Sequence, residues 1–271
     1  YELAPELKRS EPGQLQAAKL PGLKGIVTLS AEPLDGMWRW QDFMHLASDV
    51  DLAEVETLQR TLQFDDPINI QYTSGTTGFP KGAALSHHNI LNNGYFVAES
   101  MNFTEEDRLV IPVPLYHCFG CVLAALCCLV HEATLIEPAE YFDAAATLDA
   151  IEQERATAIY GVPTMFVAAL QHPDRATLDL SSLRTGVMAG APCPIEVMKR
   201  CVADLHLSEI TIAYGMTETS PVSFQTAADD PLEKRVSTVG RVQPHLEVKA
   251  IDPTGATVAP GEQGELCTRG Y

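Results

Sequence analysis

From residue 107 onward the chain alternates short apolar runs with longer stretches whose apolar residues recur every three or four positions. The runs at 108–113, 134–136, 158–160, 186–189 and 209–214 are built mainly from Val, Ile, Leu, Ala and Met and predict strands. Residues 143–155, 164–171 and 195–205 carry helical spacing. The longest apolar run, residues 118–130, is apolar on every side and predicts a buried core helix. It falls short of the roughly 18 residues a membrane span needs, so no transmembrane segment is expected. Repeated strand–helix units predict an α/β fold, with parallel sheets flanked by helices. In such sheets ligands bind beyond the carboxyl ends of the strands, so the loops there are where chemistry is sought.

Ahead of this region, Ile68, Ile70 and Tyr72 alternate as a strand, and Ser86 can cap a helix over residues 87–99. Earlier still, residues 25–29 are strand-like and residues 51–60 predict a short acidic helix. Trp38 and Trp40 fit one face of a strand or the anchoring of a loop. After Pro231 the rhythm changes: short strands are expected at 236–243, 247–251 and 262–268, separated by turns and with no helix between them. The expected organisation is therefore an α/β core over 1–230 and the start of a small β-rich, barrel-like subdomain over 231–271. Tyr1 opens the sequence without a methionine, and residues 264–271 stop without a visible helix end. Both ends read as internal to a longer protein.

A length of 271 residues with 46% hydrophobic composition suffices to bury a full core. The net charge of −18 argues against a nucleic-acid or anionic-membrane surface. It also means that any anionic ligand must be held by local donors and a metal. The seven cysteines lie mostly in apolar stretches, which fits free thiols in a reducing compartment: the cytoplasm, preferred, or one such as the mitochondrial matrix. Cys118 and Cys121 have no second cysteine pair at ligand spacing, which weighs against zinc.

The candidate chemistry centres on the string Tyr72-Thr73-Ser74-Gly75-Thr76-Thr77-Gly78-Phe79-Pro80-Lys81-Gly82. Its small residues let backbone N–H groups approach a ligand, and its hydroxyls and Lys81 add donors. Such donors suit a polyphosphate, each charge-assisted bond contributing about 1.5–3 kcal/mol. It is not a Walker loop, which ends in Gly-Lys-Ser/Thr, whereas Lys81 here follows Pro80. Four further loops follow predicted strands. His117 stands before the apolar helix; Gly161-Val162-Pro163 is a turn that any such fold uses. Gly190, Ala191 and Pro192 leave room for a flat base against their backbone. In the last loop, Tyr214 can stack on a purine and Thr217 can donate to a phosphate oxygen. Glu218 beside phosphate needs a bridging cation, and Mg²⁺ prefers carboxylate and phosphate oxygens together.

The Tyr72–Gly82 string and Tyr214-Gly215-Met216-Thr217-Glu218, in this order, resemble the signatures of the adenylate-forming superfamily: acyl-CoA synthetases, luciferases and adenylation domains. The wording around His117 and Tyr160–Phe166 is most similar to medium-chain acyl-CoA synthetases of the family member 2 type. The resemblance covers essentially the whole chain. It implies a fatty acid CoA ligase in which a carboxylic acid and Mg-ATP give acyl-AMP and pyrophosphate, after which coenzyme A displaces AMP. Thr73, Ser74, Gly75, Thr76, Thr77, Gly78 and Lys81 would hold phosphates. Gly190, Ala191, Pro192, Tyr214, Gly215, Met216 and Thr217 would hold the nucleotide, Glu218 the magnesium, and His117 would border the acyl pocket. Lys81, His117, Thr217 and Glu218 would be the catalytic set. The family's ribose-binding aspartate, hinge and C-terminal lid with its lysine have no match within these residues, which implies weak or no turnover by this stretch alone. Other readings are an aryl-CoA ligase, an amino-acid adenylation domain, or a nucleotide-binding module without turnover.

Overall fold

A computed structural model describes residues 1–74 and 78–271. The chain divides into two compact units, Tyr1–Gln63 and Phe64–Tyr271. In the first unit, strands β1 (Val27–Thr28) and β2 (Trp38–Arg39) pair in parallel, followed by helices α1 (Trp40–His45) and α2 (Leu52–Gln59). Asp51 caps α2 by accepting from the Ala53 N–H. Trp38 is the loop anchor of this unit: a side chain at Gly13, whose φ is +83°, or at Gly25 would run into its ring. Trp40 belongs to α1 and does not extend the strand.

The second unit opens with an antiparallel hairpin of β3 (Pro67–Thr73) and β4 (Lys81–Ser86), which leads directly into α3 (His87–Glu99). Ser86 Oγ accepts from the Asn89 N–H, and the Asn89 side chain returns a bond to the Ser86 N–H, which fixes where α3 begins. There follow β5 (Arg108–Val110), a π-helical segment over Phe119–Leu126, α4 (Cys127–Val130) and β6 (Thr134–Ile136). Next come α5 (Ala144–Gln153), β7 (Ala158–Gly161), α6 (Pro163–Gln171), β8 (Thr185–Met188), α7 (Ile195–Asp204) and β9 (Glu209–Gly215). Strands β10 (Val222–Gln225) and β11 (Arg241–Val242) complete a seven-stranded sheet of order β11-β10-β9-β8-β7-β5-β6. Strands β5 to β9 run parallel; β10 and β11 are antiparallel to their neighbours.

Successive side chains of a strand face opposite ways, and both faces of this sheet are covered. Leu109, Ala158, Tyr160 and Val187 pack with α3 and the π-helical segment, while Val110, Ile159, Met188 and Ile212 pack with α5, α6 and α7. The α/β class with flanked parallel strands is therefore the fold of this unit.

Three elements differ from expectation. The apolar stretch 118–130 is helical, but winds as a π-helix over Phe119–Leu126 before the α-helical turn Cys127–Val130. Strand β10 extends the sheet beyond β9, which was expected to be its last strand. Between β10 and β11, a helix stands where residues 236–243 were expected to begin a strand: α8 (Leu232–Ser237), which starts directly after Pro231. Leu232 and Val236, four apart, pack on the same core, and the buried Arg235 donates to the carbonyls of Ser208 and Ile210 at 3.0 and 2.7 Å. The large sheet thus runs to Val242, past the change of rhythm near residue 230. Strands β12 (Glu247–Ile251) and β13 (Glu265–Arg269) form a separate antiparallel pair.

Candidate active site

Two adjoining cavities lie at the carboxyl ends of β8 and β9. The first, of about 480 Å³, is bordered by Thr73 and Ser74 from the end of β3, by His117, and by Thr217 and Glu218. The second, of about 650 Å³, is bordered by Gly190, Ala191, Pro192 and Tyr214, with Thr238 and Val239 opposite. Gly190, Ala213 and Gly215 border both. Both glycines are required by the backbone. Gly190 has φ of +82°, and a Cβ at Gly215 would lie 1.8 Å from the Pro221 carbonyl oxygen. A side chain at either position would also narrow the passage between the cavities.

The segment carrying Thr217 and Glu218 is the turn between β9 and β10. The Met216 N–H donates to the Pro221 carbonyl at 3.0 Å, and Thr219 Oγ1 donates to the same carbonyl at 2.7 Å. Thr217 is buried, and its hydroxyl lies 3.3 Å from Cys118 Sγ. Glu218 is exposed on the cavity edge. Among the described residues it has no ion-pair partner, and no group of three or more His, Cys, Asp or Glu side chains could hold a metal ion. A lone carboxylate fits Mg²⁺, which usually takes one or two protein carboxylates and completes its shell with water and substrate phosphate oxygens. Glu218 would hold such an ion when it arrives with a triphosphate.

His117 Nδ1 accepts the Phe119 N–H at 3.0 Å, which places the proton of the neutral ring on Nε2. Burial lowers its pKa below the ordinary histidine value, so at neutral pH it is an uncharged donor. Burial also raises the thiols of Cys118 and Cys121, keeping them protonated. Cys121 Sγ accepts from Gln71 Nε2 at 2.8 Å, tying the π-helical segment to β3. Phe119, Leu123 and Val222 give the first cavity its apolar wall.

The structure thus gathers Thr73, Ser74, His117, Gly190, Gly215, Met216, Thr217 and Glu218 around one cavity, and Gly190, Ala191, Pro192, Tyr214 and Gly215 around its neighbour. It does not bring Lys81 or Gly78 to either lining. Lys81 sits exposed on β4 opposite Thr73, on a strand that packs against the Thr217–Thr219 turn. Gly75, Thr76 and Thr77 lie outside the described residues. Gln71, Tyr116 and Thr238 border the cavities without having been singled out; Gln71 was legible only as the polar member of an alternating strand.

The AMP-binding enzyme family matches residues 13–271. YngI of Bacillus subtilis strain 168, provisionally assigned as an acyl-CoA synthetase, is 51% identical over 270 residues, covering 99% of this chain and 49% of that protein. The mitochondrial medium-chain acyl-CoA ligase ACSF2 of Danio rerio is 45% identical over 274 residues, covering all of this chain and 45% of its own length. Among solved structures, the anthranilate CoA ligase AuaEII in complex with anthranoyl-AMP superposes with a TM-score of 0.79 at 25% identity, over 93% of this chain and 47% of that one. The o-succinylbenzoate CoA synthetase MenE of Bacillus subtilis, in complex with ATP and magnesium, gives 0.67 at 28% identity, over 77% and 42%. The chain spans about half the length of the curated relatives it matches. It belongs to the AMP-binding enzyme family, whose relatives here are acyl-CoA synthetases and ligases.

Proposed function

We propose that these residues form the nucleotide- and acyl-binding part of an AMP-forming acyl-CoA synthetase acting on a fatty acid, most plainly one of medium chain length. The observation that carries this reading is the shared cavity, where hydroxyl donors (Thr73, Ser74, Thr217), one carboxylate (Glu218) and an apolar wall meet. Carboxylate attack on the α-phosphate of ATP brings two anions together, so the protein's contribution is alignment and charge neutralisation. Glu218 would hold magnesium, which would supply part of that neutralisation. Thr217 donates to a phosphate oxygen, the end of β3 and the segment up to Lys81 hold the β- and γ-phosphates, and Tyr214 with Gly190–Pro192 receives adenine. His117, neutral and carrying its proton on Nε2, donates at the acyl end. Coenzyme A then takes the acyl group and AMP leaves.

Among the described residues, Glu218 is the one carboxylate on the wall of the first cavity, so no further acidic side chain is there to pair with a substrate ammonium, which favours an alkyl chain over an amino acid. The likeness to AuaEII keeps an aromatic acid as a second reading. Seven free thiols fit a reducing compartment, with the cytoplasm preferred. No helix among the described residues is long and apolar enough to cross a membrane. ATP–pyrophosphate exchange by the full-length protein tests the assignment. Exchange stimulated by hexanoate or octanoate supports it, exchange driven by benzoates moves it to aryl acids, and exchange driven only by amino acids defeats it. The 271-residue chain alone is expected to exchange weakly or not at all, and turnover near that of the full-length protein contradicts this.

A further inference from the structure

The geometry points to Asn93 as a positioning residue that holds the Thr217–Glu218 turn in place against the helix leading out of the phosphate hairpin. This rests on the ligase reading above. Asn93 lies on α3, which begins immediately after β4, and its side chain is completely buried. Its Nδ2 donates to the Val222 carbonyl at 2.8 Å, and its Oδ1 accepts the Val222 N–H at 3.0 Å. Strand β11 pairs β10 only at Phe224 and Gln225, so at Val222 the carboxamide does what a peptide group of a neighbouring strand would do. A carboxamide carries the same donor and acceptor pair as a peptide and can satisfy both backbone groups at once.

Val222 is the first residue after the turn and itself borders the cavity. The other stem of the turn is closed by the Met216–Pro221 bond and by Thr219 Oγ1. Asn93 therefore fixes one stem to α3 while the turn's own bonds fix the two stems to each other. A further Nδ2 contact reaches the Tyr271 hydroxyl at 3.1 Å, and the Tyr271 ring stacks on Phe96, one turn along the same helix. One amide thus joins three segments: the helix of the hairpin, the turn with Glu218, and the end of the β12–β13 pair. An alternative role as a plain core filler does not need both hydrogen-bonding groups of the amide, and this packing uses both.

The test compares Asn93→Ala and Asn93→Asp with the wild type in the full-length protein, by ATP–pyrophosphate exchange between pH 6 and 9 with melting curves in parallel. Asn93→Asp keeps size and acceptor but turns a carboxylate toward the Val222 carbonyl; protonation restores a donor. The Tyr271 hydroxyl is the titratable group contacting this position, and burial raises its pKa, so it stays neutral over this range. Misplacing the turn is expected to lower kcat about 10- to 100-fold in Asn93→Ala, with the acid's KM changed less than about threefold. Asn93→Asp is expected to regain activity relative to wild type as the pH falls. A wild type without exchange rejects the ligase reading. A wild type with exchange overturns the positioning role in three cases: both variants keep its kcat, Asn93→Asp follows Asn93→Ala at every pH, or neither variant folds, which would make Asn93 a structural support.

Discussion

The two ends of the central sheet treat charge in opposite ways. At the amino ends of β8 and β9, Arg184 donates to Asp107 and to Glu209 at 2.6 Å each, and also to the carbonyls of Met101 and Asn102. Asp107 is buried and further bonded by Thr104 and Thr157. At the carboxyl ends, Glu218 has no ion-pair partner among the described residues, and Gly190, Ala191 and Gly215 line the cavities beside it. One end spends its charges on joining strands. The other leaves Glu218 open, as the proposed triphosphate and its cation would require.

The contrast predicts different failures at the two ends. Glu218→Ala in the full-length protein should produce the largest loss of activity, at least about 100-fold in Mg-dependent exchange, with melting unchanged, because an electrostatic contact is lost only when the triphosphate is bound. Retention of wild-type exchange at saturating Mg²⁺ would remove Glu218 from the site. Arg184→Met should do the reverse: stability falls by roughly 3–5 kcal/mol because Asp107 is left buried without its counter-charge, while the KM for ATP in the folded fraction is unchanged. An Arg184→Met protein that melts like wild type would dissolve the contrast.

Smaller effects sharpen it. Gly190→Val should raise the KM for ATP by roughly tenfold, since a β-branched residue at φ of +82° is strained and its side chain meets Val162. An unchanged KM would detach Gly190 from the nucleotide. The smallest expected effect concerns pH. Because desolvation lowers the His117 pKa, its neutral donor form persists as pH falls through the ordinary histidine value near 6.5 and is lost only below it. The acid limb of exchange assigned to His117 should therefore lie below that value and be absent in His117→Gln. A limb at or above that value, or one that survives the substitution, would assign it to another group.

Much of this was legible in the sequence because local chemistry decided it. The Ser86 cap set the start of α3, and Asp51 and Asp143 did the same for α2 and α5. The apolar runs at 134–136 and 158–160 became β6 and β7 nearly residue for residue. Elements decided by tertiary contact were not legible. Strand β10 alternates apolar and polar residues but is only four residues long and directly follows Pro221; β9, β11 and Asn93 satisfy its backbone. Helix α8 is settled by Arg235 reaching two carbonyls at the start of β9, distant in sequence. In the site, the types of residue were readable but their meetings were not. Cys118 and Thr217 touch across 99 positions, and Gln71 reaches Cys121 across 50. Lys81 shows the converse: a strong motif position that this backbone leaves outside the cavity lining.

The central claim is that the end of β3 and the β9–β10 turn grip the same triphosphate. A crystal structure of the full-length protein with Mg²⁺ and a non-hydrolysable ATP analogue tests it directly. The expected result is adenine against Tyr214 and Gly190–Pro192, phosphate oxygens hydrogen-bonded by Ser74 and Thr217, and the metal about 2.1 Å from a Glu218 oxygen. A nucleotide bound with its phosphates away from Thr217, or a metal held without Glu218, would contradict it.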